Sequence, residues 1–390
     1  MTKLQYKRNI ELFINNPPYY HLPYSKKNWG NKWHSLCSYH GKLKPAIAHF
    51  LIKNFTEEGN VILDPMAGVG TIPFEAALQG RVALGNDLSE LAYIVSNAKL
   101  NICKYEDLLI TVNILDKYIR NGIKGKKVDR LVKKYEDFGM NKTLKEYFHK
   151  DTFREILLAR EFFNKKENLS NEECIIFSCF LHILHGNRPY ALSRTSHPLT
   201  PYAPKGEYKY KSVIECIKSK LAILYKNIDN CKENYENDFN KYLKGKMHLG
   251  DVLEISKEYN EVDFIITSPP FVSSLRFYTQ NWMRLWLSGW EQEDFKNAEK
   301  NFLESKQKKD ISIYKGVFDE FYKVLKPKGK VILHLGKTDK FDMAKELLPF
   351  CEEKFKLIYI GEENVKNLQK HGIKDKGSTN IHQFMFLEKR

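Results

Sequence analysis

Asn60-Val-Ile-Leu-Asp64-Pro-Met-Ala-Gly-Val-Gly-Thr71 is the stretch on which the fold turns. Three apolar residues in a row, closed by an acid and a proline, read as a short buried strand and its end. Gly68 and Gly70 mark a tight turn whose backbone can approach a ligand closely. Residues 72–79 then read as a helix, and Arg81-Val-Ala-Leu-Gly-Asn-Asp87 as a second strand. Strand, turn, helix and strand at this spacing form a parallel βαβ unit.

Working outward, Lys44–Lys53 reads as a helix with Pro45 in its first turn. Residues 1–32, polar and aromatic with Pro17-Pro18, read as an N-terminal arm. From about 90 to 245 the periodicity is helical, broken near Pro189–Gly206. Strands return at Lys246–Leu249, Val262–Thr267, Lys330–Leu335, Phe355–Ile360 and His382–Leu387, with a helix over Tyr314–Leu325. The expected fold is α/β: a Rossmann-like sheet, mostly parallel, over 33–99 and 246–390. A mainly helical domain over 100–245 is inserted into it. Such an insertion far exceeds an ordinary connection and implies a role of its own.

The 390 residues carry 63 Lys and Arg against 48 Asp and Glu, a formal charge of +15 that attracts polyanions. Seven cysteines without C-x-x-C spacing argue against a disulfide framework or a zinc knuckle, so no metal is expected. The N-terminus has no apolar leader and no apolar run reaches membrane-spanning length; a cytoplasmic protein without membrane contact is expected.

Two constellations carry chemistry. Asp64, Pro65, Met66, Gly68, Gly70 and Thr71 lie where a parallel sheet binds ligands, and Asp87 ends the next strand, where an acid can accept both ribose hydroxyls. Neither a full G-x-G-x-x-G nor a following lysine is present, so a ligand with ribose but no pyrophosphate fits, and S-adenosylmethionine is one. The second is Ser268-Pro269-Pro270-Phe271, at the end of a buried strand. An exocyclic base amine is a poor nucleophile because its lone pair is delocalised. Acceptors for both amine hydrogens, Ser268 Oγ and the Pro269 carbonyl, favour the pyramidal form that can attack a methyl sulfonium. Proline fixes the carbonyl's geometry, Phe271 can stack on the base, and the base must leave its duplex to enter.

On these residues the sequence resembles the DNA amino-methyltransferases, over about half the chain. The resemblance implies a methionine-binding loop at Asp64–Thr71, a ribose acid at Asp87 followed by Leu88, and an adenine contact at Asp251 followed by Val252. It implies an extra cofactor motif in His40-Gly-Lys-Leu-Lys44-Pro45 and a catalytic tetrapeptide at Ser268–Phe271. Serine in first place is usual for the cytosine-N4 group, so N4 of cytosine in double-stranded DNA is the expected target, adenine N6 the alternative. A cognate restriction endonuclease is a partner the resemblance brings with it. The insertion corresponds to a target-recognition domain, and Arg188, Tyr190 and Arg194 are its candidate DNA contacts, joined by Arg276 and Tyr278 after the catalytic loop. Trp282, Trp286 and Trp290 recur every four residues and read as one buried face. The basic run from Lys124 to Lys134 reads as a solvated helix face. Two rival readings stay open: an RNA guanine-N2 methyltransferase, which usually carries Asp-Pro-Pro-Tyr, and a DNA-binding protein with a decayed site.

Overall fold

The computed structural model describes residues 1–26, 29–226, 245–272, 277–365 and 379–390. Seven strands form one sheet: β1 (Val61–Asp64), β2 (Val82–Asp87), β3 (Gly245–Leu249), β4 (Val262–Thr267), β5 (Leu325–Lys337), β6 (Phe355–Asn364) and β7 (Ile381–Lys389). Their order is β3-β2-β1-β4-β5-β7-β6. The first five run parallel, and β7 is antiparallel to both β5 and β6. The order reverses between β1 and β4, which makes the carboxyl ends of these two strands the topological switch point.

Alternation along the strands builds two cores. Ile62, Ile266, Ile332, Phe384 and Phe386 face one side. Leu63, Ile265, Val331, Leu333, Met385 and Leu387 face the other, beneath the helices Tyr314–Val324 and Met343–Cys351. On the first side lie α1 (Lys3–Asn15), α2 (Pro45–Phe55) and α3 (Thr71–Leu78). Both faces are buried, as a parallel sheet requires.

The described part of the N-terminal segment, residues 1–26 and 29–32, is not a loose arm. Thr2 caps α1 by accepting from the Gln5 N–H, and Tyr6, Ile10 and Phe13 are buried. The Phe13 ring meets Phe384 of β7 edge-on at 5.1 Å. Polar residues dominate the sequence of α1, so its narrow aromatic stripe is masked by composition.

The described part of the insertion is helical: α4 (Glu90–Leu100) of the sheet domain leads into α5 (Tyr105–Gly122), α6 (Lys126–Tyr135), α7 (Leu144–Tyr147), α8 (Lys150–Asn164), α9 (Asn171–Ile183) and α10 (Val213–Tyr225). These helices have no core of their own. Their buried residues merge with Phe74 and Leu78 of α3, with Leu91 and Val95 of α4, and with Trp282, Trp286 and Trp290. The expected separate insertion is therefore a third layer fused to the sheet domain. All three tryptophans are buried as expected, but the helix Trp282–Leu287 ends before Trp290.

Candidate active site

The two constellations meet at one sheet edge. β1 and β4 are neighbours, with Leu63 opposite Ile265 in parallel register. The loops that begin at Pro65 and Ser268 therefore leave adjacent strands, about 5 Å apart, at the same end. β2 lies on the other side of β1, so Asp87 ends at that edge too.

The first loop is tied down by its own backbone. The Gly70 N–H donates to the Ala67 carbonyl at 2.8 Å and that of Ala67 to the Asn86 carbonyl at 2.9 Å. Asp87 receives the Gly68 N–H at 2.8 Å and the Ser89 N–H at 3.0 Å, one on each carboxyl oxygen. Gly70 takes the left-handed conformation at φ 66° and precedes the first residue of α3, Thr71. A Cβ at Gly70 would sit 2.9 Å from Cβ of Ser96, so a side chain fits neither the conformation nor the space.

Asp64 is 3% exposed and accepts the Met66 N–H at 3.2 Å. Burial pushes its carboxyl up to about 7, with Thr267 on the next strand drawing it back down. Burial likewise lifts Asp87 to about 6, against the pull of the Ser89 and Gly68 N–H groups. Among the described residues neither acid forms an ion pair, so both keep acceptor capacity for a ligand.

Asp251 stands at the third strand end. Its carboxylate accepts the Leu253 N–H at 3.0 Å and lies 3.6 Å from Lys306 Nζ, while Val252 behind it is buried. The Gly250 N–H donates to the Asp87 carbonyl at 3.0 Å, which joins this turn to the end of β2. Asn86 was missed in the sequence. Its side-chain amide donates to the carbonyls of Pro65 at 3.1 Å and Gly250 at 3.0 Å, and its oxygen pairs with His248 Nδ1 at 2.9 Å. One buried side chain thus fixes three strand ends. Nothing local in Gly85-Asn-Asp87 announces this, because its partners lie 21 and 164 residues away.

The lead-in motif reaches the loop through a residue other than those expected. Lys44 directs Nζ to the Tyr19 carbonyl at 3.2 Å, and Pro45 starts α2. It is Tyr39 whose ring lies over Gly68, 3.5 Å from where a Cβ would stand, and packs on Phe277 at 5.5 Å. Leu88 is half-buried beside Asp87.

In the second loop Ser268 is half-buried, and its Oγ lies 3.0 Å from Nδ1 of His334 on β5. Pro269 is buried. Pro270 offers its carbonyl to Gln307 Nε2 at 2.8 Å, and Tyr314 donates to Gln307 Oε1 at 2.9 Å. Phe271 lies over Gly336, where a Cβ would come within 2.5 Å of its ring, and meets His334 at 5.5 Å and His382 at 5.9 Å. His334, Gln307 and Gly336 were also missed, since each acts on the loop from a distant part of the chain.

The expected nucleic-acid contacts divide. Arg188 is exposed, with Nη1 2.7 Å from His182 Nε2 and 2.8 Å from the half-buried Tyr190 hydroxyl. Arg194 is a brace and not a free contact: it donates to the carbonyls of Gly206 at 2.7 Å and Glu146 at 3.0 Å and covers the Tyr208 ring. Tyr278 is corrected as well, being buried with its hydroxyl 3.2 Å from Glu299. Carbonyls close to Arg194 and the aromatic core around Tyr278 claimed these side chains. Arg276 lies outside the described residues. Among the described residues no cluster of His, Cys, Asp and Glu is arranged to hold a metal, and no helix is long and apolar enough to cross a membrane.

Residues 32–132 match a family model described as UPF0020: RMKL-like, methyltransferase domain. The chain is 22% identical to the type II methyltransferase M.MjaII of Methanocaldococcus jannaschii, over 66% of its own length and 62% of that protein. It therefore spans less than two thirds of that curated relative. Among solved structures it resembles TrmN from Thermus thermophilus (12% identity, TM-score 0.32, 90% of this chain and 50% of that one). It also resembles a TehB-like SAM-dependent methyltransferase from Corynebacterium glutamicum (9%, TM-score 0.33, 88% and 87%). The matched segment holds the whole first constellation. S-adenosylmethionine is the cofactor of a methyltransferase domain of this kind, and the residues fit it: two carboxyls free of ion pairs, a glycine turn, and the Asp251 turn bonded to Asp87.

Proposed function

We propose that the protein transfers a methyl group from S-adenosylmethionine to the exocyclic amine of a nucleic-acid base, with N4 of cytosine in DNA as the target. The observation that carries this is the emergence of the Asp64 and Ser268 loops from adjacent parallel strands at the switch point. The Ser-Pro-Pro-Phe tetrapeptide and the likeness to a type II methyltransferase support the DNA assignment.

When bound, the cofactor supplies an activated methyl group on a sulfonium. Asp87 would hold the ribose hydroxyls and Asp251 the adenine amine; the backbone of Asp64–Gly70 would bracket the methionine end. Ser268 Oγ and the Pro269 carbonyl would accept the two amine hydrogens and so expose the nitrogen lone pair. The work is mainly orientation and placed dipoles. A side chain is held ready for it: Ser268 is fixed through His334, and the loop backbone through Gln307.

The test is to incubate duplex DNA with the protein and labelled S-adenosylmethionine, digest to nucleosides and identify the labelled base by mass spectrometry. N4-methylcytosine is expected. N6-methyladenine would move the target within the same chemistry, label only in tRNA or rRNA would replace DNA with RNA, and label in none of them would overturn the reading.

A further inference from the structure

Three exposed tyrosines cluster on the helical layer. Tyr202, Tyr208 and Tyr210 are 56%, 50% and 54% exposed. Of the five exposed tyrosines among the described residues, these three share one short segment, so their exposure is not scattered. The segment from Pro201 to Lys211 belongs to no helix or strand, yet it is pinned. The Lys205 N–H donates to the Thr195 carbonyl at 2.8 Å, Arg194 Nε to that of Gly206 at 2.7 Å and the Tyr147 hydroxyl to that of Pro201 at 2.6 Å. Each tyrosine is also held by a neighbour. The Arg194 guanidinium lies 4.5 Å from the Tyr208 ring, the His197 ring 5.5 Å from that of Tyr202, and the Tyr210 hydroxyl donates to Glu155 at 2.5 Å. Rings exposed on a fixed backbone lose little freedom when something settles on them.

Positive charge is interleaved with them. Residues 187–211 hold Arg188, Arg194, Lys205, Lys209 and Lys211 against Glu207 alone. Lys205 and Lys209 are exposed. The contact of Lys209 with Glu207, at 3.5 Å and open to water at both ends, neutralises little. The cores of protein interfaces are depleted of lysine. Lysine set between aromatic rings suits a polyanion that also presents flat faces, which is an unpaired nucleic-acid strand; in a duplex those faces are covered by the neighbouring base pairs. The strip adjoins the site. The Thr200 hydroxyl donates to Gln280 Oε1 at 2.6 Å, and Gln280 ends the short helix that begins at Phe277. Phe277 packs in turn on the Tyr39 that lies over Gly68.

We infer that Tyr202, Tyr208 and Tyr210 stack on unpaired bases flanking the target nucleotide, with Lys205 and Lys209 on the phosphates between them. That this strand is the methylated one rests on the proposed methyl transfer; the stacking surface does not.

The experiment measures binding of the full chain to a fluorescent single strand of DNA, to its duplex and to an abasic strand of equal charge. Wild type is compared with Tyr202→Ala, Tyr208→Ala, Tyr202→Phe, Tyr208→Phe and Lys205→Gln. These side chains are exposed, so the fold should survive, and melting curves check it; Tyr210 is left intact because its hydroxyl holds the buried Glu155. Each Ala variant should bind the single strand about 5–100-fold more weakly. Each Phe variant should bind it like wild type, and none of the four tyrosine variants should change on duplex or abasic strand. Lys205→Gln should lower the slope of log affinity against log salt by about 0.7 on the single strand. The inference is overturned by unchanged single-strand affinity in the Ala variants, by an equal loss on duplex or abasic strand, or by an unchanged slope in Lys205→Gln. Wild-type binding to none of the three also overturns it and leaves the rings to a protein partner. Methyl transfer is read separately, on the same DNA digested to nucleosides. Stacking without transfer sinks the enzymatic reading and leaves the surface; transfer with the Ala variants unchanged in binding does the reverse.

Discussion

Ser268 Oγ and Nδ1 of His334 lie 3.0 Å apart, across the neighbouring strands β4 and β5. When Nδ1 accepts the hydroxyl hydrogen, both lone pairs of Oγ are left for an incoming amine. Ser268→Ala should therefore keep cofactor affinity and lose transfer by roughly 10²–10³-fold. His334→Asn, which keeps an acceptor near Nδ1, should retain more turnover than His334→Leu. Isothermal calorimetry and steady-state kinetics check both, and equal loss in the two His334 variants would deny the hydrogen bond a part.

Asp87 makes the cofactor site sensitive to pH. Its carboxyl is lifted from 3.8 to about 6, so the folded chain holds this proton more tightly than the unfolded one. The resulting stability is full below about pH 4, declines as pH rises towards 6 and is level above. Affinity for S-adenosylmethionine should run the other way, rising through about pH 6 as the carboxylate forms and accepts the ribose hydroxyls. Asp87→Asn should flatten this part of the profile and bind several-fold more weakly. Calorimetric titration between pH 5 and 8 decides it, and a wild-type profile flat through pH 6 counts against the ribose role.

Gly70 and Gly41 separate conformation from contact. Both have positive φ, 66° and 83°, but a Cβ at Gly70 strikes Ser96 while one at Gly41 meets nothing within 4 Å. Gly41→Ala should cost about 1–2 kcal/mol from the left-handed conformation. Gly70→Ala should cost about 1–3 kcal/mol more from overpacking and weaken cofactor binding. Urea denaturation gives the difference, and equal losses would mean that Ser96 yields freely.

Asn86 should behave as a keystone. Asn86→Leu leaves the Pro65 and Gly250 carbonyls and His248 without this partner, at about 1–3 kcal/mol per buried group left unsatisfied. Loss of stability together with cofactor affinity is expected, read by denaturation and calorimetry. A variant as stable as wild type would show that water replaces the amide.

By itself the sequence determined the strands, their parallel run, the Asp64–Thr71 turn and the Ser268 loop, because each is written in neighbouring residues: an apolar run, a glycine pair, two prolines. Strand ends moved by a few residues, as at β5, where the Lys326–Gly329 turn lies within the strand from Leu325 to Lys337. What only the tertiary structure decided was which side chains those loops meet. Asn86, Tyr39, His334 and Gln307 meet the loops from other parts of the chain, and Arg194 and Tyr278 are held by carbonyls and an aromatic core. The helices after residue 100 look like a domain in the sequence because they interrupt the alternation of strands. They are fused to the sheet domain because their apolar faces are buried against α3, α4 and the tryptophan helix. Local pattern fixes an element; burial and hydrogen bonding between distant residues fix its company.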